Sequence, residues 1–171
     1  MTRDLAARFD PALDLLLERV VDVPPHLVWR AWTKPEDLKR WFCPRPWQTV
    51  ECDVDLRPGG LFRTVMQGPD GERHDHVGCF LEIIENRRLV FTSQLGQDYR
   101  PLPEQLPGDD GLCQDLAMTA YVTMDPEGGG TRYRAMVLHR SPDDRKRHDE
   151  MGFSEGWSTA LDQLVEVARG W

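Results

Sequence analysis

A chain of 171 residues has room for one domain with a sizeable core and little for two, and its 40% apolar content is that of an ordinary globular protein. The net charge of -8 argues against a nucleic-acid partner or an anionic membrane surface, since either favours a basic face. No stretch approaches the roughly 20 apolar residues of a membrane span.

The chain opens on MTRDLAARFDPALD, where acids stand among the basic residues and no apolar core follows, so it does not read as a signal peptide. The four cysteines (Cys43, Cys52, Cys79 and Cys113) are far apart and form no CxxC. These features read as reduced thiols in a soluble, cytoplasmic protein.

LLLERVVD (15–22) predicts a first strand with imperfect alternation. VPPHLVWRAWT then offers a proline pair for a helix start, with Val28, Trp29 and Trp32 at helical spacing. Pro35 interrupts it, and PEDLKRWF begins a second short helix with acids in its first turn and Leu38, Trp41 and Phe42 on one face.

Strands follow. WQTVECDVDL places Val50, Cys52, Val54 and Leu56 together, and RPGG (57–60) turns the chain into LFRTVMQ. GPDGE turns it into HDHVGCFLEII, where Val77, Cys79, Leu81 and Ile83 are expected to share a face. RRLVFTSQL is the next strand, and LAMTAYVTMD, PEGGG and TRYRAMVLHR read as a final hairpin. Between them, residues 96–113 hold three prolines, three glycines and several acids without periodicity. A lid or binding loop and a plain insertion both fit that composition.

DDRKRHDE (143–150) alternates in sign and predicts a solvated helix start. If residues 143–169 are all helical, the helix spans about 40 Å. Seven strands give a sheet about 29 Å across, which such a helix can cross diagonally. The expected class is therefore α+β, with an antiparallel sheet covered by one C-terminal helix.

Phe153, Trp157, Leu161, Leu164 and Ala168 form the apolar stripe of that helix. Gly152 and Gly156 lie at its edge, costing together about 2 kcal/mol against alanine. They permit a close approach or a bend, or they leave space for a pocket under the helix. Continued backward, the helix would bring Asp149 and Glu150 onto the stripe, where an unpaired carboxylate is costly. That calls for a kink at Gly152 or a polar pocket mouth.

His74 and His76 point the same way about 6.8 Å apart in a strand, with Cys79 on the opposite face, which is a poor start for a zinc site. They are read as polar residues at a strand start, and no metal is expected. Ser154, His148 and Asp149 lack a nucleophile elbow and are not read as a triad. The PGG and GGG runs are turn glycines, not phosphate loops. Glu150, His139 and Asp53 are the candidates for a general base if catalysis occurs, with solvated or hydrogen-bonded roles as the simpler reading. Trp29, Trp32, Trp41 and Trp47 read as core, although Trp41, Phe42 and Trp47 surround the CPRP bend and one of them suits a cavity rim.

VPPHLVWRAWTKPEDLKRWFCP, DLRPGGLFRTVM, GCFLEIIENRRLVFT and MGFSEGWSTALDQL, in this order, resemble bacterial proteins related to the C-terminal domain of the activator of heat shock protein 90 ATPase. That family belongs to the START-like or Bet v 1-like (SRPBCC) superfamily of helix-grip folds. The resemblance runs from about Leu15 to Ala168. It implies a single domain over 1–171, with residues 1–14 an extension and 96–113 an insertion. It also implies a curved sheet of about seven strands round the long C-terminal helix, with two short helices after the first strand.

Between sheet and helix the resemblance implies a cavity for a small hydrophobic or amphipathic molecule. Its expected lining is Trp41, Phe42, Trp47, His139, Glu150, Phe153, Gly156, Trp157 and Ala160. No catalytic residue, metal or cofactor is assigned. Superfamily members also include cyclases and hydrolases, so an enzyme of that kind is the alternative reading. Regulation of a chaperone ATPase is the second alternative. It is the weaker one, because the chain has no room for the activator's additional N-terminal domain. A homodimer contact near the insertion stays open.

Overall fold

The computed structural model describes residues 8–103 and 116–171. The first strand, β1 (Asp14–Val21), leads into two short helices, α1 (Pro25–Thr33) and α2 (Pro35–Leu38). Each begins on a proline, where the missing N–H is no loss. Lys34 between them is extended, at φ -97° and ψ 115°, so the second helix starts afresh. α1 buries Val28, Trp29, Ala31 and Trp32.

Six more strands complete one antiparallel sheet: β2 (Gln48–Val54), β3 (Leu61–Gln67), β4 (Arg73–Ile84), β5 (Arg88–Thr92), β6 (Met118–Glu127) and β7 (Gly130–His139). Their spatial order is β1-β7-β6-β5-β4-β3-β2, a meander with β1 added beside β7. The RPGG turn requires glycine at its fourth position, because a Cβ on Gly60 would stand 1.9 Å from the Asp55 carbonyl oxygen. Of the expected insertion over 96–113, only 96–103 lies within the described residues, as does 8–14 of the N-terminal extension. Residues Gln97–Tyr99 form a 3-10 turn, joined to the RPGG turn by an Asp98 N–H to Gly59 carbonyl bond of 2.7 Å and an Arg57–Asp98 ion pair of 2.9 Å.

The inner face of the sheet is marked by Phe62, Phe80 and Phe91, whose rings pack with centroids 5.0 Å (Phe62–Phe80) and 4.9 Å (Phe62–Phe91) apart. Phe80 fixes the phase of β4 and corrects the expected one. His74, His76 and Phe80 share the inner face, so Val77 and Cys79 point outward. A bulge between Phe80 and Glu82 then restores Ile83 to the inner face, opposite Leu89. One extra residue reverses every later side chain, which is why a strict alternation failed here. A second bulge, between Thr49 and Glu51, interrupts β2.

The C-terminal segment is two helices, α3 (Pro142–Glu150) and α4 (Phe153–Ala168). Gly152 breaks them apart with φ 92° and ψ 36°, a left-handed conformation that costs glycine little. Of the two outcomes open from the sequence, the structure takes the kink. α4 crosses the inner face and buries Phe153, Leu161, Leu164, Val165 and Ala168.

Candidate functional site

The two halves of α4 pack differently. In the C-terminal half, Leu161, Leu164 and Ala168 are 1%, 0% and 0% exposed. In the N-terminal half Phe153 is buried, but Trp157 and Ala160 are only half-buried. Gly156 lies opposite the bend after α2, where a Cβ would come no nearer than 4.0 Å to the Pro44 ring. The first turns of α4 are therefore less closely packed than the last. The carboxylates that raised the question of a polar mouth are turned away from it. Asp149 and Glu150 are exposed and form ion pairs along α3 with Arg145 (3.2 Å) and Lys146 (3.8 Å).

The opposing wall is the bend of residues 41–47. Trp41 is 3% exposed, packs edge-on against Trp32 at 4.9 Å, and donates its indole N–H to the Ala31 carbonyl (3.0 Å). It therefore anchors the bend to the core. Gln163 of α4 holds the bend from the other side. Its amide donates to the Trp41 and Cys43 carbonyls at 2.9 and 2.7 Å and accepts from the Arg45 backbone N–H at 3.0 Å. Phe42 is half-buried, 5.6 Å from Trp32 and 6.1 Å from Phe62 between ring centroids, and its carbonyl accepts from the Thr49 hydroxyl. Trp47 is also half-buried and packs on the His74 ring at 5.4 Å.

That last contact brings in residues the sequence reading set aside. β5 pairs with β4 only from Cys79 onward, so the first half of β4 extends beyond β5. On the inner face of this half stand His74 and His76, aligned across β3 with Met66 and Thr64. His76 is half-buried, and its pKa is lowered, first by burial and then by the neighbouring His74. The local signal was their phase with Phe80, since a large aromatic marks the core face better than the small Cys79.

His139 is placed at the end of β7 and is not an open base. Its Nδ1 lies 2.8 Å from the Leu13 carbonyl oxygen and its Nε2 lies 2.9 Å from His148 Nδ1. Because a carbonyl only accepts, Nδ1 carries the proton; neutral His139 then accepts at Nε2 from His148. His148 packs in turn on Phe153, and Phe153 on Trp157. Asp53 faces outward, where it pairs with Arg63 at 3.1 Å alongside Glu51 and Asp75.

Of the sequence-predicted lining, Phe153, Gly156, Trp157 and Ala160 lie on the N-terminal half of α4, and Phe42 and Trp47 belong to the bend whose Pro44 ring comes nearest to a Cβ placed on Gly156. Trp41 supports them from the core, His139 is tied up behind Phe153, and Glu150 points to solvent. A separate cleft of about 580 Å³ opens between α1 and the sheet, lined by Trp29, Arg30, Thr33, Lys34, Leu56, Ile83 and Glu85. Among the described residues no three histidine, cysteine or acidic side chains come together as a metal site, and no helix is long and apolar enough to cross a membrane.

The fold is shared with solved structures. A crystal structure from Nitrosomonas europaea is 47% identical, with a TM-score of 0.85, over 95% of this chain and 97% of that one. A solution structure from Arthrobacter aurescens is 25% identical, with a TM-score of 0.75, over 94% and 88% of the two chains. At 21% identity, a protein from Aeromonas hydrophila described as like the activator of Hsp90 ATPase shares the fold with a TM-score of 0.64, over 92% and 93% of the chains. No curated protein matches the chain. The family model of the activator of Hsp90 ATPase homolog 1-like proteins matches residues 22–169, all the elements from α1 to α4, and the chain belongs to that family.

Proposed function

We propose that the protein holds a small, largely apolar molecule between the inner face of the sheet and the N-terminal half of α4, without transforming it. The observation that carries this reading is the packing gradient along α4. Leu161, Leu164 and Ala168 are sealed, whereas Trp157 and Ala160 beside the Gly156 gap are not. A helix serving only as core would gain from filling that gap, since cavities cost about 24 cal/mol per Å³. Half-buried aromatics on the bend (Phe42 and Trp47) and on α4 (Trp157) supply apolar surface of the kind expected of a ligand site.

An enzyme on the same site ranks second. The bases considered from sequence, His139 and Glu150, are respectively hydrogen-bonded on both ring nitrogens and turned to solvent. Regulation of a chaperone ATPase ranks third, on the family's name alone. The protein purified from its own cells and measured by native mass spectrometry tests the reading. A retained small molecule, displaced in a Gly156→Leu variant, supports it. A ligand-free protein that also binds no apolar fluorescent probe at this gap would overturn it.

A further inference from the structure

The two edges of the sheet are built differently. β2 forms one edge, where the bulge between Thr49 and Glu51 interrupts it and exposed Glu51 and Asp53 are bound by Arg63 and Arg73. Bulges and charges of this kind blunt an edge against further pairing. β1 forms the other edge, and its register against β7 runs unbroken from Asp14 to Val21. Its outer-face side chains are Leu16, Glu18 and Val20, and Leu16 and Val20 are 42% and 54% exposed.

The open side of β1 also carries free backbone groups. The Leu13 carbonyl accepts from the His139 N–H at 3.2 Å, which makes 13 and 139 a hydrogen-bonded pair. Bonding alternates along an antiparallel ladder, so the odd residues of β1 bond to β7 and the N–H and C=O groups of 14, 16, 18 and 20 point away from it. Asp14 is already engaged there, its N–H by the Asp10 carbonyl at 2.7 Å and its carbonyl by Arg145 at 3.4 Å. Among the described residues, nothing hydrogen-bonds the backbone of Leu16, Glu18 or Val20 from that side.

We infer that β1 pairs antiparallel with β1 of a second copy, across a two-fold axis at Glu18. The three open positions are symmetric about Glu18, and in this register each pair exchanges both of its backbone bonds. Leu16 then stands beside the partner's Val20 on the outer face, twice over, so the exposed apolar side chains cover one another. A shift of two residues either way would set Val20 against Asp14 or Leu16 against Asp22. The two Glu18 carboxylates meet at the axis, but each is bound by Arg132 (2.8 Å) and Arg134 of its own chain, and Glu127 holds Arg132 as well. Each copy's cluster is neutral, so like charges are not opposed. An unrelated extended segment would meet the open backbone without this two-fold match of side chains.

Sedimentation velocity between about 5 and 500 µM tests the inference, since the contact is at the small end of interface sizes, where association is weak. The weight-average mass should rise reversibly toward twice that of the chain. Val20→Lys should raise the dissociation constant at least about tenfold, and Leu16→Lys is a second route to the same loss if the first does not fold. Oxidation in a Cys113→Ser background reads the register. Glu18→Cys should cross-link two copies, because hydrogen-bonded partners stand about 5.5 Å apart between Cα atoms, within disulfide reach. Leu16→Cys should cross-link only when Val20→Cys is added. A monomer at every concentration, a dimer that both lysine variants leave intact, or no cross-link at position 18 would overturn the inference.

Discussion

His139 Nε2 and His148 Nδ1 lie 2.9 Å apart, joining the end of the last strand to the helix that precedes α4. Both rings are buried, at 7% and 6% exposure, and the Leu13 carbonyl fixes the proton on the far side of His139. The pair can be neutral and hydrogen-bonded, but a second proton between the facing nitrogens leaves two donors in contact.

Acid should therefore weaken the fold in a defined window. Burial first, and then His139, lowers the His148 pKa from 6.5 to about 4. Unfolded chains take up this proton as pH falls through 6.5, whereas folded chains resist it until about pH 4. Stability is thus fully present above the unfolded value and is lost as pH falls between the two, by up to roughly 3 kcal/mol. Denaturant unfolding across that range should show the loss, and His148→Leu should flatten the slope. An unchanged slope in the variant would show that other groups set it.

Gln163 should matter more than a polar helix residue ordinarily does. It is 6% exposed and makes three hydrogen bonds to the backbone of residues 41–45. Gln163→Leu strands two carbonyls and an N–H, for a loss of about 2–4 kcal/mol. The midpoint of chemical denaturation measures it, and a change within about 0.5 kcal/mol, as at an ordinary surface site, would contradict the arrangement.

The two glycines that flank Phe153 should respond in opposite directions. Gly152 has φ 92°, so Gly152→Ala forces a left-handed alanine and should cost about 1 kcal/mol. Gly156 is helical and a Cβ there would come no nearer than 4.0 Å to the Pro44 ring, so Gly156→Ala should stabilise α4 by up to about 1 kcal/mol. Paired thermal melts of the two variants read the signs directly.

The described thiols should be poor nucleophiles in the native state. Burial raises the Cys52 pKa to about 11 and pushes Cys43 and Cys79 upward as well. In a Cys113→Ser background, alkylation at neutral pH should be far slower than that of a free thiol, whose pKa is about 8.5, and should accelerate on unfolding. Labelling at the free-thiol rate in the folded protein would contradict this burial.

The order of elements was legible from local signals. Pro25 and Pro35 open the short helices, RPGG turns the chain, and the spacing of Phe153, Leu161, Leu164 and Ala168 identifies the face of α4 that enters the core. Those signals act through backbone conformation or through one element's own periodicity, which neighbouring residues suffice to specify.

Tertiary structure decided the rest. Which side of β4 faces inward depends on Phe80 finding Phe62 across the sheet and on a bulge that no alternation reveals. That choice placed His74 and His76 inside. The fates of His139, Gln163 and Glu150 were likewise settled by partners or solvent that local spacing does not disclose: His148, the 41–45 backbone, and open water beyond the Gly152 break. The sequence alone determined which elements form and which faces are apolar, because periodicity is local. The structure alone determined which polar groups are paired, buried or left in solvent, because hydrogen bonding and desolvation depend on atoms far apart along the chain.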